Sequence, residues 1–477
     1  MTIWHFLPKN QLRPLLLGMV VLWLCGWHSL CAASDTTTID ARPSLVVDVQ
    51  SAVAVPAAVS IRKEADGYRL YRDGQPYFIK GVGGRRHLET AARAGANSLR
   101  TWGSNDAAEL LDRAHGLGIT VTLGVWLSHQ ASDYLDPAYR QRLTDEIQRL
   151  LDHHKNHPAL LMWALGNEIN LEGAGIPEAW QFVDELASLI KAQDLHHPVI
   201  TVVSFDDFTA DRIATYAPHL DALGINAYGS LSKVRAMIDA SAFAGPYLVT
   251  EWGVDGHWEA KQTIWGRPIE PTSQQKVDFH LQRYTRDILA NSDRCIGSYV
   301  FLWGQKQEST PTWYSMFIEQ LPGLDSPAAA CATVDAMHYI WSGDWPANRA
   351  PEVAGMTIDD RPANSDVILT PGQPFIARVD AVDPENDGLR FVWELMMEPT
   401  ILGTGGSFEP LPETLGARIA GDLGNLSLTA PAMSGDYRLY VYVLDKDGHV
   451  GTANVPFQVG QTPPAESAGP ANPASGG

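Results

Sequence analysis

Between positions 78 and 304 the chain alternates between short, continuous apolar runs and longer segments with apolar residues at helical spacing. The apolar runs occupy 78–84, 98–103, 120–127, 159–168, 198–204, 222–229, 247–253 and 297–304. The helical segments include 106–117, 139–154, 177–192 and 274–290. Continuous apolar runs are typical of strands buried on both faces. Their alternation with helices predicts a (β/α)8 TIM barrel in the α/β class. An open doubly wound sheet is the alternative, but Gly81–Arg86 lacks the second half of the dinucleotide-binding pattern.

The amino terminus has the pattern of an export signal. Lys9 and Arg13 precede an apolar run over 15–27, and small residues follow up to Ala33. This order predicts a signal peptide over 1–33 that is removed after Ala33. The apolar run is shorter than the ~20 residues that span a bilayer, so a retained anchor is the weaker alternative. We therefore expect a periplasmic or extracellular protein without stable membrane insertion after cleavage.

Changes in residue pattern and composition divide the rest of the chain into segments. We predict that residues 34–60 form a leader or linker and that residues 61–346 form the barrel domain. Short alternating strands then appear at 367–369, 375–379, 389–394, 426–429, 437–444 and 450–459. They predict a smaller all-β sandwich over 350–460. Within it, AVDPENDGLRFVWE at 381–394 and YVLDKDGHVGTA at 442–453 resemble the PKD or immunoglobulin-like modules of exported enzymes. Residues 461–477, rich in Pro, Ala, Gly and Ser, predict a disordered tail.

Composition narrows the class of function. The 477 residues are 45% hydrophobic and 19% charged, which is typical of a globular chain. The net charge of −20 repels phosphate backbones and argues against nucleic-acid binding. The 15 Trp and 15 Tyr include flat faces that suit sugar rings, although most aromatic side chains pack in cores. Cys295 and Cys331 would form one disulfide after export or remain two buried thiols.

The candidate chemistry lies at the ends of the predicted strands. The fourth strand ends in Asn167-Glu168, the seventh in Glu251, and the second carries Arg100. Catalytic side chains of barrels project from the carboxyl ends of the strands, so we expect the two carboxylates to face one cleft. Such a pair suits glycoside hydrolysis, where one carboxyl group donates a proton and the other attacks or activates water. The alternative is two structural carboxylates that cap the following helices.

Three stretches of the chain resemble a known family. WALGNE at 163–168 and VTEWG at 249–253 are similar to retaining glycoside hydrolases of the (β/α)8 clan. NHPALLMWALGNE and GINAYG are most similar to the barrel of family 2, which includes β-galactosidases, β-glucuronidases and β-mannosidases. About 40 residues separate the predicted cleavage site from the barrel, too few for the sandwich domains that precede it in family 2. An open cleft for a polysaccharide therefore fits as well as a pocket for a terminal sugar.

The resemblance implies roles for the site residues. Glu168 looks like the general acid/base, and Glu251 like the nucleophile that forms a covalent glycosyl-enzyme. Arg100 would lie beside Glu251 and favour its ionised form, and Tyr228 would donate a hydrogen bond to the same carboxylate. Asn167 would bind the sugar 2-hydroxyl. Burial or a neighbouring carboxylate would raise the pKa of Glu168.

Three further residues are candidates for substrate contact. Trp303, at the end of the eighth predicted strand, is expected to stack under the reacting sugar. Trp252, which follows Glu251, either contacts the sugar or packs in the core. Asn226 either shapes a loop or contacts the sugar. The acidic turn at Asp383 and Asp387 would bind calcium or be stable without metal, and we expect no metal site.

The resulting prediction is an exported retaining glycoside hydrolase that cleaves a β-linked oligo- or polysaccharide without a cofactor. Two alternatives stay open. A β-glucanosyltransferase or other transglycosylase would use the same site with a sugar acceptor in place of water. A non-catalytic carbohydrate-binding scaffold would keep the barrel, although it would be expected to lose at least one of the two carboxylates. Sugar identity, linkage and oligomeric state have no signal in the sequence.

Overall fold

The computed structural model describes residues 57–171, 175–319, 321, 328–403, 407–416, 418–421 and 423–460. The predicted signal peptide, most of the predicted leader and the predicted tail lie outside these residues. The first described strand, β1 (Val59–Glu64), begins inside the segment that the sequence assigns to a leader. It forms an antiparallel sheet with β2 (Gly67–Arg72) and β3 (Gln75–Pro76).

This small sheet covers the amino-terminal end of the barrel. Val59 and Leu70 pack with Ile79 and the residues that fill that end of the barrel. The Val59 N–H donates to the His196 carbonyl at 2.8 Å, just before a barrel strand begins. In a TIM barrel the opposite, carboxyl-terminal end of the strands carries the chemistry. The sheet therefore seals the end that lies away from the candidate site.

Eight parallel strands close into the predicted barrel. They are β4 (Ile79–Gly83), β5 (Ser98–Arg100), β6 (Thr120–Val125), β7 (Leu160–Leu165), β8 (Val199–Ser204), β9 (Ala222–Asn226), β10 (Tyr247–Trp252) and β11 (Cys295–Val300). Neighbours in the chain are hydrogen-bonded, and β11 pairs with β4 to close the ring. Every strand overlaps its predicted run, so the predicted fold class is confirmed.

Helices surround the barrel. They are α1 (Leu88–Arg93), α2 (Ala107–Gly116), α3 (Ala131–Leu135), α4 (Pro137–His154), α5 (Pro177–Gln193), α6 (Thr209–Tyr216), α7 (Val234–Ala240), α8 (Ser273–Arg283) and α9 (Ala332–Ser342). Local chemistry explains their ends: Asp136 caps the start of α4, and Thr272 and Gln275 form a capping box at α8. The predicted helix 274–290 is one α-helix only to Arg283, where a π-helical turn replaces it.

The carboxyl-terminal part is all-β, as predicted. After a small pair, β12 (Phe317–Glu319) and β13 (Ala328–Ala330), come β14 (Glu352–Ile358), β15 (Arg361–Pro362), β16 (Val367–Leu369), β17 (Pro374–Val382), β18 (Arg390–Met397), β19 (Ile419–Gly421), β20 (Asn425–Thr429), β21 (Gly435–Leu444) and β22 (Val450–Val459). They form a four-stranded sheet, β15-β14-β17-β20, and a five-stranded sheet, β16-β22-β21-β18-β19. Both sheets contribute to one apolar core. The likeness to immunoglobulin-like modules stays a prediction.

Buried hydrogen bonds and an ion pair connect these sheets to a barrel loop. The Arg438 guanidinium in β21 donates to Glu398 at 2.8 Å, to Asn454 at 2.7 Å and to the Pro268 carbonyl at 2.8 Å. The Asn454 amide then donates to Glu270 at 2.7 Å. Pro268 and Glu270 belong to the long loop after β10, whose strand carries one of the candidate carboxylates. The all-β part therefore supports a loop of the catalytic face.

Cys295 and Cys331 are separate thiols, both buried, so the free-thiol alternative describes the structure. Burial raises the pKa of each thiol to about 12.

Among the described residues, no helix combines the length and apolar character of a membrane span.

Candidate active site

The two candidate carboxylates leave the barrel rim from two strands that are separated by β8 and β9. Glu251 belongs to β10, whereas Glu168 follows the end of β7. The Glu168 backbone has φ near 53°, in the left-handed region, and its N–H donates to the Val202 carbonyl at 2.8 Å. This conformation costs a non-glycine residue roughly 1–2 kcal/mol, and such strain is concentrated at functional sites. The turn therefore fixes the direction in which Glu168 leaves the barrel.

Three donors surround the Glu251 carboxylate. Arg100 Nη1 lies 3.0 Å from Oε1, Trp102 Nε1 lies 2.7 Å from Oε1, and the Tyr228 hydroxyl lies 2.8 Å from Oε2. The contacts expected from Arg100 and Tyr228 are present. The Trp102 contact was not expected, although its position two residues beyond Arg100 on the same strand end offered a signal. Both carboxylate oxygens are thus held in place by three side chains from two strand ends, those of β5 and β9.

Arg100 also connects the two halves of the site. Its Nη2 donates to the Asn167 amide oxygen at 2.6 Å, and its Nη1 reaches the Thr250 carbonyl at 3.1 Å. The side chain is 1% exposed, so this charge is enclosed among its partners. Charge-assisted contacts of this kind are about twice as strong as neutral ones. Arg100 therefore fixes the Asn167 amide and the Glu251 carboxylate relative to each other.

Asn226 holds the second carboxylate. Its Nδ2 donates to Glu168 Oε1 at 2.9 Å and lies 3.2 Å from the Asn167 amide oxygen, while its own oxygen accepts from Thr250 at 2.7 Å. Burial first, and then the charge of Glu251, raise the pKa of Glu168 from 4.5 to about 7. A carboxyl group with this pKa still carries its proton in a large fraction of molecules at neutral pH. The site thus combines a carboxylate held by three donors with a carboxyl group able to donate a proton.

Both carboxylates open onto one cavity of about 560 Å³. Asn167 and Tyr228 also line it. Further aromatic side chains in its wall include Trp102, Trp126, Trp258 and Phe301. Trp126 and Trp258 are 48% and 58% exposed, so each presents a ring face to solvent. A concave space of this size, with aromatic walls and a few polar groups, is typical of a small-ligand site.

The prediction that Trp303 stacks under the substrate is wrong. The side chain is 1% exposed, packs against Phe317 and Trp341, and donates from Nε1 to the His87 carbonyl at 3.1 Å. Three residues past the end of β11, the chain has already turned away from the cavity. Phe301, the first residue after that strand, lines the cavity instead.

Trp252 is also excluded from the cavity. It is fully buried and packs against His280 and Tyr284 in the layer outside the barrel. Successive side chains of a strand point to opposite faces. Because Glu251 points to the cavity, its neighbour points to the surrounding helices. The core alternative for Trp252 is therefore correct.

Three cavity residues had no signal in the sequence pattern. Lys306 and Glu308 follow β11 and form an ion pair with Nζ 2.6 Å from Oε2. Gly403 comes from the segment between β18 and β19. Glu409 holds this segment in place, because it accepts from the N–H groups of Gly403 and Ser309 at 2.9 and 2.8 Å. The all-β part therefore contributes to the cavity wall.

The acidic turn of the carboxyl-terminal part is stabilised from within the protein. Asp383 Oδ1 accepts from the N–H groups of Glu385 and Asp387 at 3.0 and 2.7 Å. Glu385 pairs with Arg349, and Asp387 pairs with Lys446. Such turns are stable through amide and cation contacts alone. The expectation that this turn holds no metal stays a prediction.

Part of the barrel matches the model of a known family. Residues 87–265 match the model of the glycosyl hydrolases family 2, TIM barrel domain. The chain is 32% identical over 123 residues to a beta-galactosidase of Arthrobacter sp. (strain B7), covering 24% of this chain and 11% of that protein. It is 27% identical over 219 residues to the beta-glucuronidase of Mus musculus, covering 38% of this chain and 32% of that protein. The chain thus spans a third or less of the length of these two relatives.

A solved structure aligns with a larger share of the chain. The chain aligns with Bacteroides uniformis beta-glucuronidase 2 covalently bound to cyclophellitol-6-carboxylate aziridine, with 13% identity and a TM-score of 0.47. The alignment covers 84% of this chain and 48% of that chain. The segment matched by the family model contains Glu168 and Glu251 together with the residues that hold them. The part of the barrel that carries both candidate carboxylates is therefore the part that is similar to the TIM barrel domain of the glycosyl hydrolases of family 2.

Proposed function

We propose that this chain is an exported retaining glycoside hydrolase that cleaves β-linked glycosidic bonds, with Glu251 as nucleophile and Glu168 as general acid/base. The observation that carries the proposal is the pairing of these two groups on one cavity. One is a carboxylate held by three donors, and the other is a carboxyl group with a pKa of about 7. Relatives named beta-galactosidase and beta-glucuronidase agree with a β-glycosidase. Export rests on the predicted signal peptide.

In the first step Glu251 attacks the anomeric carbon of the sugar. The bond to the leaving oxygen breaks, and the proton of Glu168 moves to that oxygen. The donors around Glu251 keep its carboxylate aimed at the sugar, which lowers the entropic part of the barrier. The products of this step are a glycosyl ester on Glu251, a free alcohol and an ionised Glu168.

In the second step water releases the sugar. The ester carries no charge, so the repulsion from Glu251 that raises the pKa of Glu168 is removed. Glu168, which lost its proton in the first step, takes a proton from water as that water attacks the anomeric carbon. Cleavage of the ester restores the Glu251 carboxylate, and its charge restores the raised pKa of Glu168. Glu168 thus alternates between acid and base, while Glu251 acts as nucleophile and then as leaving group.

Neighbouring residues would orient the substrate. Arg100 and Asn226 contact the Asn167 amide oxygen, which directs the Asn167 Nδ2 group as a donor for the sugar 2-hydroxyl. Hydrogen bonds to this hydroxyl strengthen in the transition state. Trp126 and Trp258, exposed at the cavity, offer ring faces for neighbouring units of an oligo- or polysaccharide.

Azide rescue tests the two roles separately. Glu251→Ala should abolish turnover of an aryl β-glycoside, and azide should restore it with a glycosyl azide of inverted configuration. Glu168→Ala should also be rescued by azide, but with a glycosyl azide of retained configuration. Glu89→Ala, in an exposed ion pair with Arg113, is the control and should keep full activity. An unimpaired Glu251→Ala enzyme would contradict the proposal.

A further inference from the structure

The cavity wall beyond the catalytic pair contains a lysine, Lys306, that already forms an ion pair with a glutamate. Lys306 Nζ lies 2.6 Å from Glu308 Oε2, and the two side chains are only 23% and 13% exposed. Their loop is fixed, because Glu308 and Thr310 exchange backbone hydrogen bonds of 3.1 and 2.7 Å. The Lys306 N–H also donates to Ser315 Oγ at 3.1 Å. The ion pair is therefore an ordered part of the wall.

A further carboxylate lies close to this pair. Glu409, from the all-β part, is buried and accepts the Ser309 N–H at 2.8 Å, one residue beyond Glu308. Burial raises the pKa of Glu308 above its usual value. The negative charges of Glu251 and Glu409 also raise this pKa, whereas the positive charge of Lys306 lowers it. Negative groups thus outnumber positive ones at this wall.

The other basic groups at the site cannot compensate. Arg100 directs its two terminal nitrogens at Glu251 and Asn167. Burial lowers the pKa of His257 below its usual 6.5, which leaves it neutral at pH 7. Among the described residues that line the cavity, Lys306 is the one full cation, and it shares the cavity with three carboxyl groups, those of Glu168, Glu251 and Glu308.

This charge arrangement discriminates between sugars. A sugar carboxylate would gain a cation only by drawing Lys306 away from Glu308, which would leave Glu308 enclosed without its partner. Sugar hydroxyls accept from an ammonium group and donate to a carboxylate without separating the pair. We propose that the sugar unit bound at the catalytic pair is a neutral hexopyranoside, and that Glu308 excludes uronic acids. This inference rests on the proposed function, and it names the substrate class of the same site.

Binding of a matched pair of iminosugars tests the inference without turnover. Isofagomine and its C6 carboxylate analogue differ in the group at issue, and calorimetry gives a dissociation constant for each. The wild-type chain should bind isofagomine at least tenfold more tightly. Glu308→Gln frees Lys306 and should shift the ratio at least tenfold towards the carboxylate analogue. Glu89→Gln makes the same change in an exposed ion pair and should leave the ratio unchanged.

Two results separate failure of the inference from failure of the proposed function. Equal or tighter binding of the carboxylate analogue by the wild-type chain would overturn the inference and leave the glycosidase proposal standing. Binding of neither compound would overturn both. Lys306→Gln provides a second variant if Glu308→Gln does not fold. It should weaken both compounds by a similar factor, whereas a selective loss of the carboxylate analogue would identify Lys306 as a uronate receptor.

Discussion

Replacing Glu168 with Gln removes an ionisable group whose pKa lies near neutrality and keeps its shape. The Gln oxygen can still accept from Asn226, which lies 2.9 Å from Glu168 Oε1. The pKa of Glu168 is about 7, against an ordinary value of 4.5. At about 1.4 kcal/mol per pKa unit this interval corresponds to roughly 3 kcal/mol. The side chain is partly accessible from the cavity, so this figure is an upper value.

The sign follows from proton linkage. In the unfolded chain Glu168 ionises near 4.5, whereas in the folded chain it keeps its proton until about 7. Its contribution to the free energy of unfolding is therefore fully present below pH 4.5 and is lost as the pH rises to about 7. Above that, the wild-type chain carries a buried charge that the Gln variant lacks. Relative to wild type, Glu168→Gln should gain up to about 3 kcal/mol between pH 4.5 and pH 8.

Thermal unfolding of both chains at pH 5 and pH 8 measures this gain. We expect the Tm difference between variant and wild type to move by a few degrees in favour of the variant at pH 8. Glu89→Gln, at an exposed carboxylate, should show no such gain. Between pH 5 and pH 8, kcat/KM of the wild type should fall as the pH rises, with an apparent pKa near 7. A Tm difference that is the same at both pH values would refute the reasoning, because Glu168 would then titrate at its ordinary pKa.

Further substitutions test separate parts of the account. Trp303→Ala should lower the free energy of unfolding by about 3–5 kcal/mol in chemical denaturation, because the ring is in the core; Trp126→Ala, at an exposed ring, should leave Tm nearly unchanged and raise KM for oligosaccharides. Arg438→Met should cost about 3–5 kcal/mol by leaving Glu398 buried without a partner, and the added change Glu398→Leu should recover most of that loss. Arg100→Lys should lower kcat at least tenfold with little change in KM, because one ammonium cannot make both contacts of the guanidinium.

The barrel strands were predictable because their signal is local. A strand buried on both faces needs a continuous apolar run, and each of the eight runs overlaps an observed strand. The strand β14 was not predicted. Its sequence includes Ala354 and Gly355, which form strands poorly, and pairing with β17 stabilises it. That contact depends on residues distant in the chain.

The carboxylates and their closest partners were predictable for a related reason. Arg100, Glu168 and Glu251 lie at or near strand ends, and barrel topology brings the carboxyl ends of strands together. The side on which a tryptophan lies is harder to predict, because one residue of difference in a strand reverses its face. That reversal explains Trp252, and a turn after β11 explains Trp303. Exposure in the folded chain, and not residue type, identifies Trp126 and Trp258 as cavity residues.

The rest of the cavity required the folded chain. Lys306 and Glu308 lie in a loop without strand or helix periodicity, and Gly403 is brought to the cavity from the all-β part. Glu409 makes that contact by accepting N–H groups from both segments. Contacts between residues about 100 positions apart have no local pattern. The contribution of the carboxyl-terminal sheets to the site could therefore not be predicted from the sequence.

Trapping of the covalent intermediate tests the central claim most directly. A 2-deoxy-2-fluoro β-glycosyl fluoride of a neutral hexose slows release of the sugar, so the glycosyl-enzyme accumulates and mass spectrometry of its peptides locates the label. We predict one fluorosugar on the peptide that contains Glu251, with the Glu168 peptide unmodified. A label on Glu168, or an active enzyme that gains no label and forms a product of inverted configuration, would contradict the account.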